Sequence, residues 1–322
     1  MATYKDIHGS KIQNLSSDPP APFDGQFWYN STSGDLKAKA SSQVAAWSTG
    51  GALNTARALF AGGGTSTAAL GFGGEPVGYT ESYNGSNWTS VNSMNTARVT
   101  LAGAGASNTA ALGFGGYNPP GSALNNTETW NGSNWTEVNN LNTSRNYLAG
   151  DGTNTSALAF GGSPSPGNNT SATESWNGTN WTSVNSLNTG RWVLAGAGAS
   201  NTAALAFGGG SPNPTAVAVT ELWNGSNWTE TTDLNTARRY INGSGTSTSA
   251  LAYGGSPYTA ITESWNGSSW TEISDLGTAR YGMGTAGTSN TSALAFGGFG
   301  GQSLTEEYAV GPVAGVVTID AS

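Results

Sequence analysis

Twelve ionisable side chains recur in fixed order along this 322-residue chain. An Arg stands at Arg57, Arg98, Arg145, Arg191, Arg238 and Arg280, and a Glu follows each at Glu81, Glu128, Glu174, Glu221, Glu263 and Glu306. Such a set has the make-up of a binding constellation. The structural reading is stronger, because the pairs recur in every copy and use six of the seven Arg beyond residue 40. They are expected to tie neighbouring repeats or loops by charge-assisted hydrogen bonds. Catalytic chemistry is otherwise thin. Residues 41–322 contain no His and no Cys, which leaves no Ser/His/Asp triad and no His or Cys metal cluster. Glu137, Glu230, Asp233, Glu272 and Asp275 offer carboxylates, but at surface-like positions after a recurring Trp. The expectation is a protein that is not an enzyme and has no cofactor and no metal.

Those side chains need a scaffold that repeats with them. A Trp recurs at Trp47, Trp88, Trp135, Trp181, Trp228 and Trp270, with spacings of 41, 47, 46, 47 and 42 residues. A Gly-Gly pair closes an apolar run at Gly73, Gly115, Gly161, Gly208, Gly254 and Gly297. A unit of this length cannot bury its own apolar face and must stack on its neighbours. Each copy reads as four short strands: a small-residue strand such as Trp192–Gly196, the run Ala203–Phe207, then Thr220–Trp223, then a strand from Trp228. The Asn-Gly between the last two predicts a two-residue type I′ hairpin. Four-stranded units at this period predict an all-β chain, a β-propeller. The repeated Trp residues would either stack on sugars or wedge between blades, and the wedge is favoured because it finds a partner for each indole N–H.

The order Arg, Gly-Gly, Glu-x-Trp/Tyr, Trp resembles the kelch repeat over residues 41–308. That resemblance implies structural Arg and Glu positions, and the six copies predict a six-bladed propeller. The copper oxidases of kelch type need His and Cys ligands absent here, and the Asp-box turns of sialidase propellers are lacking. The first copy begins at its fourth strand (Val44–Trp47) and the last stops after its third (Thr305–Tyr308). Pairing of these ends is expected to complete the sixth blade and to remove exposed sheet edges.

Departures from the repeat point to a binding face. The residue after each Arg reads Ala58, Val99, Asn146, Trp192, Arg239 and Tyr281. The loop after Gly-Gly has five, ten, ten, ten, six and six residues, and the long ones carry Tyr117, Pro119, Pro120, Pro164, Pro166, Pro212 and Pro214. Both features are expected on one face. Loops on a rigid scaffold carry recognition, so Asn146, Trp192, Arg239, Tyr281 and Tyr117 are the candidate ligand-binding residues.

The charge balance excludes one class of partner. Residues 41–322 hold seven Arg against fifteen acids, and all four Lys lie before residue 41. An acidic body without Lys has no basic patch for nucleic acid. No apolar run of eighteen residues exists, so no membrane insertion is expected. The start lacks the apolar core of a secretory signal.

Residues 1–40 stand outside the repeat. Ser16–Pro22 reads as an extended, polyproline-like stretch. Asp24–Lys37 reads as a hairpin with the aromatic strand Phe27-Trp28-Tyr29 and a polar turn at Ser31–Asp35. This segment resembles the N-terminal hairpins of bacteriophage tail and appendage proteins, especially marine ones. It implies an attachment arm (1–40, through Phe27, Trp28 and Tyr29) that docks on other virion proteins, ahead of the propeller (41–308) and a tail (309–322) that could add an apolar strand. The expectation is a phage virion structural protein of a tail fibre or capsid appendage, made in the host cytoplasm and part of an oligomeric assembly. It would contact a host-surface glycan or envelope protein. The alternatives are a free repeat lectin (a carbohydrate-binding module) and a decoration protein with no ligand.

Overall fold

A computed structural model of the chain describes residues 12–22, 26–75, 78–165, 168–211, 215–300 and 303–319. These form strands, turns and loops with no helix among them. Two compact units are present: Met1–Ala45 with Val310–Ser322, and Ala46–Ala309.

The smaller unit contains β1 (Gln13–Leu15), β2 (Phe27–Asn30) and the first part of β3 (Asp35–Gly50). β2 and β3 form the expected antiparallel hairpin, with the turn at residues 31–34; Asp24 and Gly25 lie outside the described residues. β1 adds a parallel strand that the sequence did not announce. Asp18 organises this unit. Its carboxylate accepts from the Trp28 indole at 3.0 Å, from Asn30 at 2.8 Å and from Lys37 at 2.9 Å. Those bonds, with Asn30 first, hold the Asp18 carboxyl down at about 2.

The larger unit repeats one antiparallel sheet. The first is β4 (Ala61–Thr65), β5 (Ala68–Phe72), β6 (Thr80–Tyr83) and β7 (Trp88–Val91), paired in that order. The second is β8 (Ala102–Ser107), β9 (Ala110–Phe114), β10 (Thr127–Trp130) and β11 (Trp135–Val138). The third is β12 (Ala149–Thr153), β13 (Ser156–Phe160), β14 (Thr173–Trp176) and β15 (Trp181–Val184). The fourth is β16 (Ala195–Ser200), β17 (Ala203–Phe207), β18 (Thr220–Trp223) and β19 (Trp228–Glu230). The fifth is β20 (Asn242–Thr246), β21 (Ser249–Tyr253), β22 (Thr262–Trp265) and β23 (Trp270–Ile273). The last sheet runs β24 (Gly284–Ser289), β25 (Ser292–Phe296), β26 (Thr305–Ile319) and then β3.

The sheets are stapled by the recurring Trp. Each indole N–H donates to the Thr hydroxyl at the start of the third strand in the preceding sheet: Trp135 to Thr80, Trp181 to Thr127, Trp228 to Thr173 and Trp270 to Thr220, at 3.0–3.2 Å. Trp47 donates to Thr262 and Trp88 to Thr305 in the same way. The rings follow suit. Phe114 meets Trp181 at 4.9 Å, Phe160 meets Trp228 at 5.1 Å, and Phe296 meets Trp88 at 4.6 Å. Neighbouring sheets pack so closely that a Cβ on Gly150 of β12 would run into the Phe114 ring of β9. Glycine there is a matter of space rather than of conformation.

Two local expectations need correction. The Asn-Gly connection is not a type I′ turn. Residues 84–87 form a four-residue loop in which Gly85 has φ +91 and Asn84 is not in the left-handed region. The Asn84 carboxamide accepts from the Ser86 and Asn87 N–H groups instead, and the same cap recurs at Asn131, Asn177 and Asn224. Second, Trp192 does not start the first strand. That strand begins at Ala195; Trp192 forms a lone bridge with Gly210, and Val193 has φ 48.

Candidate functional site

The Arg and Glu markers occupy the interior. Each Arg pairs with the Glu of its own repeat at 2.7–3.2 Å, both side chains all but buried. Arg191 also donates to the carbonyls of Gly208 and Val219, while Glu221 accepts from the Asn188 and Thr189 N–H groups. The pair thereby fastens the entering loop onto its sheet. Burial lowers the Arg pKa values, in Arg57 to about 10, with the partner Glu opposing the shift in each. The five other carboxylates considered, from Glu137 to Asp275, are exposed. Asp233 and Asp275 accept from the Thr220 and Thr262 N–H groups. No cluster able to hold a metal occurs among the described residues.

The variable positions do come together on one face. The residue after each Arg bridges the residue after the Gly-Gly pair: Ala58 with Glu75, Val99 with Tyr117, Asn146 with Ser163, Trp192 with Gly210, Arg239 with Ser256 and Tyr281 with Phe299. Gly-Gly is needed for this. Gly73 and Gly74 have φ +74 and +90, and a Cβ on Gly73 would sit 2.8 Å from the Arg98 carbonyl.

One residue further along, Leu59, Thr100, Tyr147, Val193 and Tyr240 all hold φ between 48 and 56. A non-glycine residue in this region costs roughly 1–2 kcal/mol. The return is a chain of backbone bonds across repeats, each N–H donating to the preceding counterpart: Tyr240 to Val193, Val193 to Tyr147, Tyr147 to Thr100, Thr100 to Leu59 and Leu59 to Gly282, at 2.8–2.9 Å. These residues frame a shallow cavity of about 90 Å³.

An aromatic crescent occupies one side of that rim. Tyr147 meets Trp192 edge-on at 5.2 Å and Tyr240 at 5.8 Å. Tyr240 meets Tyr281 at 5.5 Å, and Tyr281 touches Tyr258 and Phe299, each at 5.0 Å. The Arg239 guanidinium lies 6.0 Å from the Tyr240 ring centre. Desolvation raises the Tyr147, Tyr240 and Tyr281 pKa values, so their hydroxyls stay protonated. The opposite side of the rim carries Ala58, Leu59, Val99 and Thr100, with Tyr117 bridging Val99.

Of the residues singled out from sequence, Trp192, Arg239 and Tyr281 belong to the crescent. Asn146 flanks it through its bridge to Ser163. Tyr117 bridges Val99 and Ala123 and makes no ring contact with the crescent. Tyr147, Tyr240, Tyr258 and Phe299 were missed. Of the loop prolines, Pro166, Pro212 and Pro214 lie outside the described residues. In the smaller unit Trp28 is fully buried, so of the aromatic triplet only Tyr29, 39% exposed, presents much surface.

A second feature lies deeper. The first strands line a cavity of about 160 Å³ with Gly and Ala. Asp151 stands where the other sheets have Gly63, Ala104, Ala197, Ser244 and Ala286. Its Oδ2 is buried against β16 with no hydrogen bond, and burial pushes the carboxyl well up.

No family model matches the chain, and no curated protein matches it in sequence. Among solved structures it is similar to YjhT ("Structure of YjhT"), with a TM-score of 0.68 and 12% identity over 84% of this chain and 99% of that one. The fold is a β-propeller. At that identity the likeness extends to the fold alone, and propellers host enzymes and binding proteins alike.

Proposed function

We propose that the chain is a non-enzymatic structural protein of a phage particle, displaying a six-bladed, kelch-like propeller for contact with a host surface. Six blades are supported by the six sheets and by the Trp-to-Thr series, which runs through every sheet and returns from Trp88 to Thr305. On this reading Trp47 and its strand complete the last blade. The contact role rests on one observation: the aromatic crescent with Arg239, where blades three to six break the repeat in concert. The virion role rests on the resemblance of the N-terminal hairpin, docking through residues 1–40.

Quantitative peptide mass spectrometry on purified virus particles tests the virion role. A fixed ratio to the major capsid protein is expected; a chain found free and absent from particles overturns it. A free lectin is the competing reading. Burial of five repeat Trp residues and of all six Arg–Glu pairs argues against six equal sugar sites and for one composite site. Replacing Trp192, Arg239 and Tyr281 together by Ala should abolish attachment to host cells. Unchanged attachment would leave a decoration protein without a ligand.

A further inference from the structure

We infer that the crescent takes an anionic saccharide, its sugar ring against the aromatic faces and its charged group on Arg239. The inference rests on the contact reading of this face. The argument begins with charge. Residues Ala46–Ala309 contain no Lys and no His, and their only cations are seven Arg. Six are locked in buried pairs with Glu. Arg239 alone has no ion pair and no side-chain hydrogen bond among the described residues, and it is only partly buried. Among the described residues of this acidic body, the one uncommitted cation sits beside a cluster of partly exposed aromatic rings. A guanidinium in that position offers paired donors to a carboxylate or sulfate.

The rest of the surface suits a sugar better than a peptide. The rings here are mostly Tyr, which present an apolar face for C–H groups and a hydroxyl for hydrogen bonding. A protein partner would anchor a bulky side chain in a desolvated pocket, whereas the depression at the rim holds only about 90 Å³. A chain of sugar units would lie across the crescent rather than enter the rim.

Calorimetry on the full-length protein tests this with four probes: oligogalacturonate, dextran sulfate, neutral dextran and polyglutamate. Binding of oligogalacturonate or dextran sulfate is expected, and whichever binds identifies the anionic group as carboxylate or sulfate. Arg239→Gln and Tyr281→Ala should each weaken binding at least tenfold, with Arg239→Lys recovering part of it; thermal melts matching the wild type establish that the variants fold. Equal binding of neutral dextran, indifferent to Arg239→Gln, overturns the anionic assignment and leaves the contact face standing. Polyglutamate bound as tightly as the glycans overturns the saccharide. Glycan binding indifferent to both variants overturns this inference together with the contact reading, and no binding by any probe overturns this inference alone.

Discussion

Single residues carry the sharpest consequences. Asp151 is a buried carboxyl with one oxygen lacking any partner, at a position where three sheets have Ala. Its folded pKa is raised, so above the ordinary value of 3.8 the native state holds a proton that the unfolded chain has released. Stability therefore falls as pH rises through that range. Asp151→Ala should stabilise the protein at pH 7 by about 1–3 kcal/mol, the usual cost of an unpaired buried polar group. Thermal melts should show the gain shrinking toward pH 4; a gain independent of pH would contradict the account. Asp18 has the opposite sign. Its pKa is depressed, so its contribution is present above 3.8 and is lost as pH falls through about 2. Asp18→Ala leaves the buried Trp28 indole without an acceptor. Hydrogen exchange across Phe27–Ala38 should accelerate in that variant while the propeller strands keep their protection.

At the scale of an element, the unit is a sheet with its entering loop. The Arg–Glu pair is more than an ion pair, since it also satisfies backbone carbonyls on the sheet and N–H groups in the loop. Arg191→Ala should cost about 3–5 kcal/mol, typical of breaking a buried pair. Replacing Arg191 and Glu221 together by Met and Leu should not recover the loss, because the loop and sheet groups remain unpaired. Urea unfolding of the single and double variants decides this, and full recovery would reduce the pair to simple electrostatics. Trp181→Phe keeps the wedge but removes the bond to Thr127 and should cost about 1 kcal/mol. The spacing of Arg, Gly-Gly, Glu and Trp made these elements legible, since each marker meets a partner within its own repeat or the next. The turn chemistry was less legible. Asn-Gly suits both a two-residue hairpin and a side-chain-capped loop, and the Ser-Asn that follows allows Asn84 to cap a longer one.

At the scale of the whole molecule, the sixth sheet joins strands from both ends of the chain. Trp47 lies against Tyr253 at 5.0 Å and Tyr308 at 5.3 Å and donates to Thr262. Deleting residues 1–50 would leave those rings uncovered and the edge of β26 unpaired. The truncated protein should melt at lower temperature and self-associate on size-exclusion chromatography, as free strand edges do. A monomer of unchanged stability would count against closure through this strand.

The sequence by itself determined the period and the strand content, and it marked the Arg and Glu columns as structural. These depend on contacts within a repeat or between consecutive repeats, and a pattern written six times records them. It also marked Trp192, Arg239 and Tyr281, because they stand in a varying column directly after a fixed one. Tyr147 and Tyr240 stand one column further on, where the residues also vary, and that variation was the available signal. Only the tertiary structure decided that this column takes a left-handed backbone, for five of its six occupants are Leu, Thr, Tyr, Val and Tyr, and only the sixth, Gly282, is Gly. The rim bonds between repeats outweigh a local preference that a sequence reader must otherwise assume. Bringing Tyr147 to Tyr240, 93 positions apart, likewise depends on how sheets three and five stand around the rim. No spacing along the chain encodes that distance, because it is set by the packing of whole sheets.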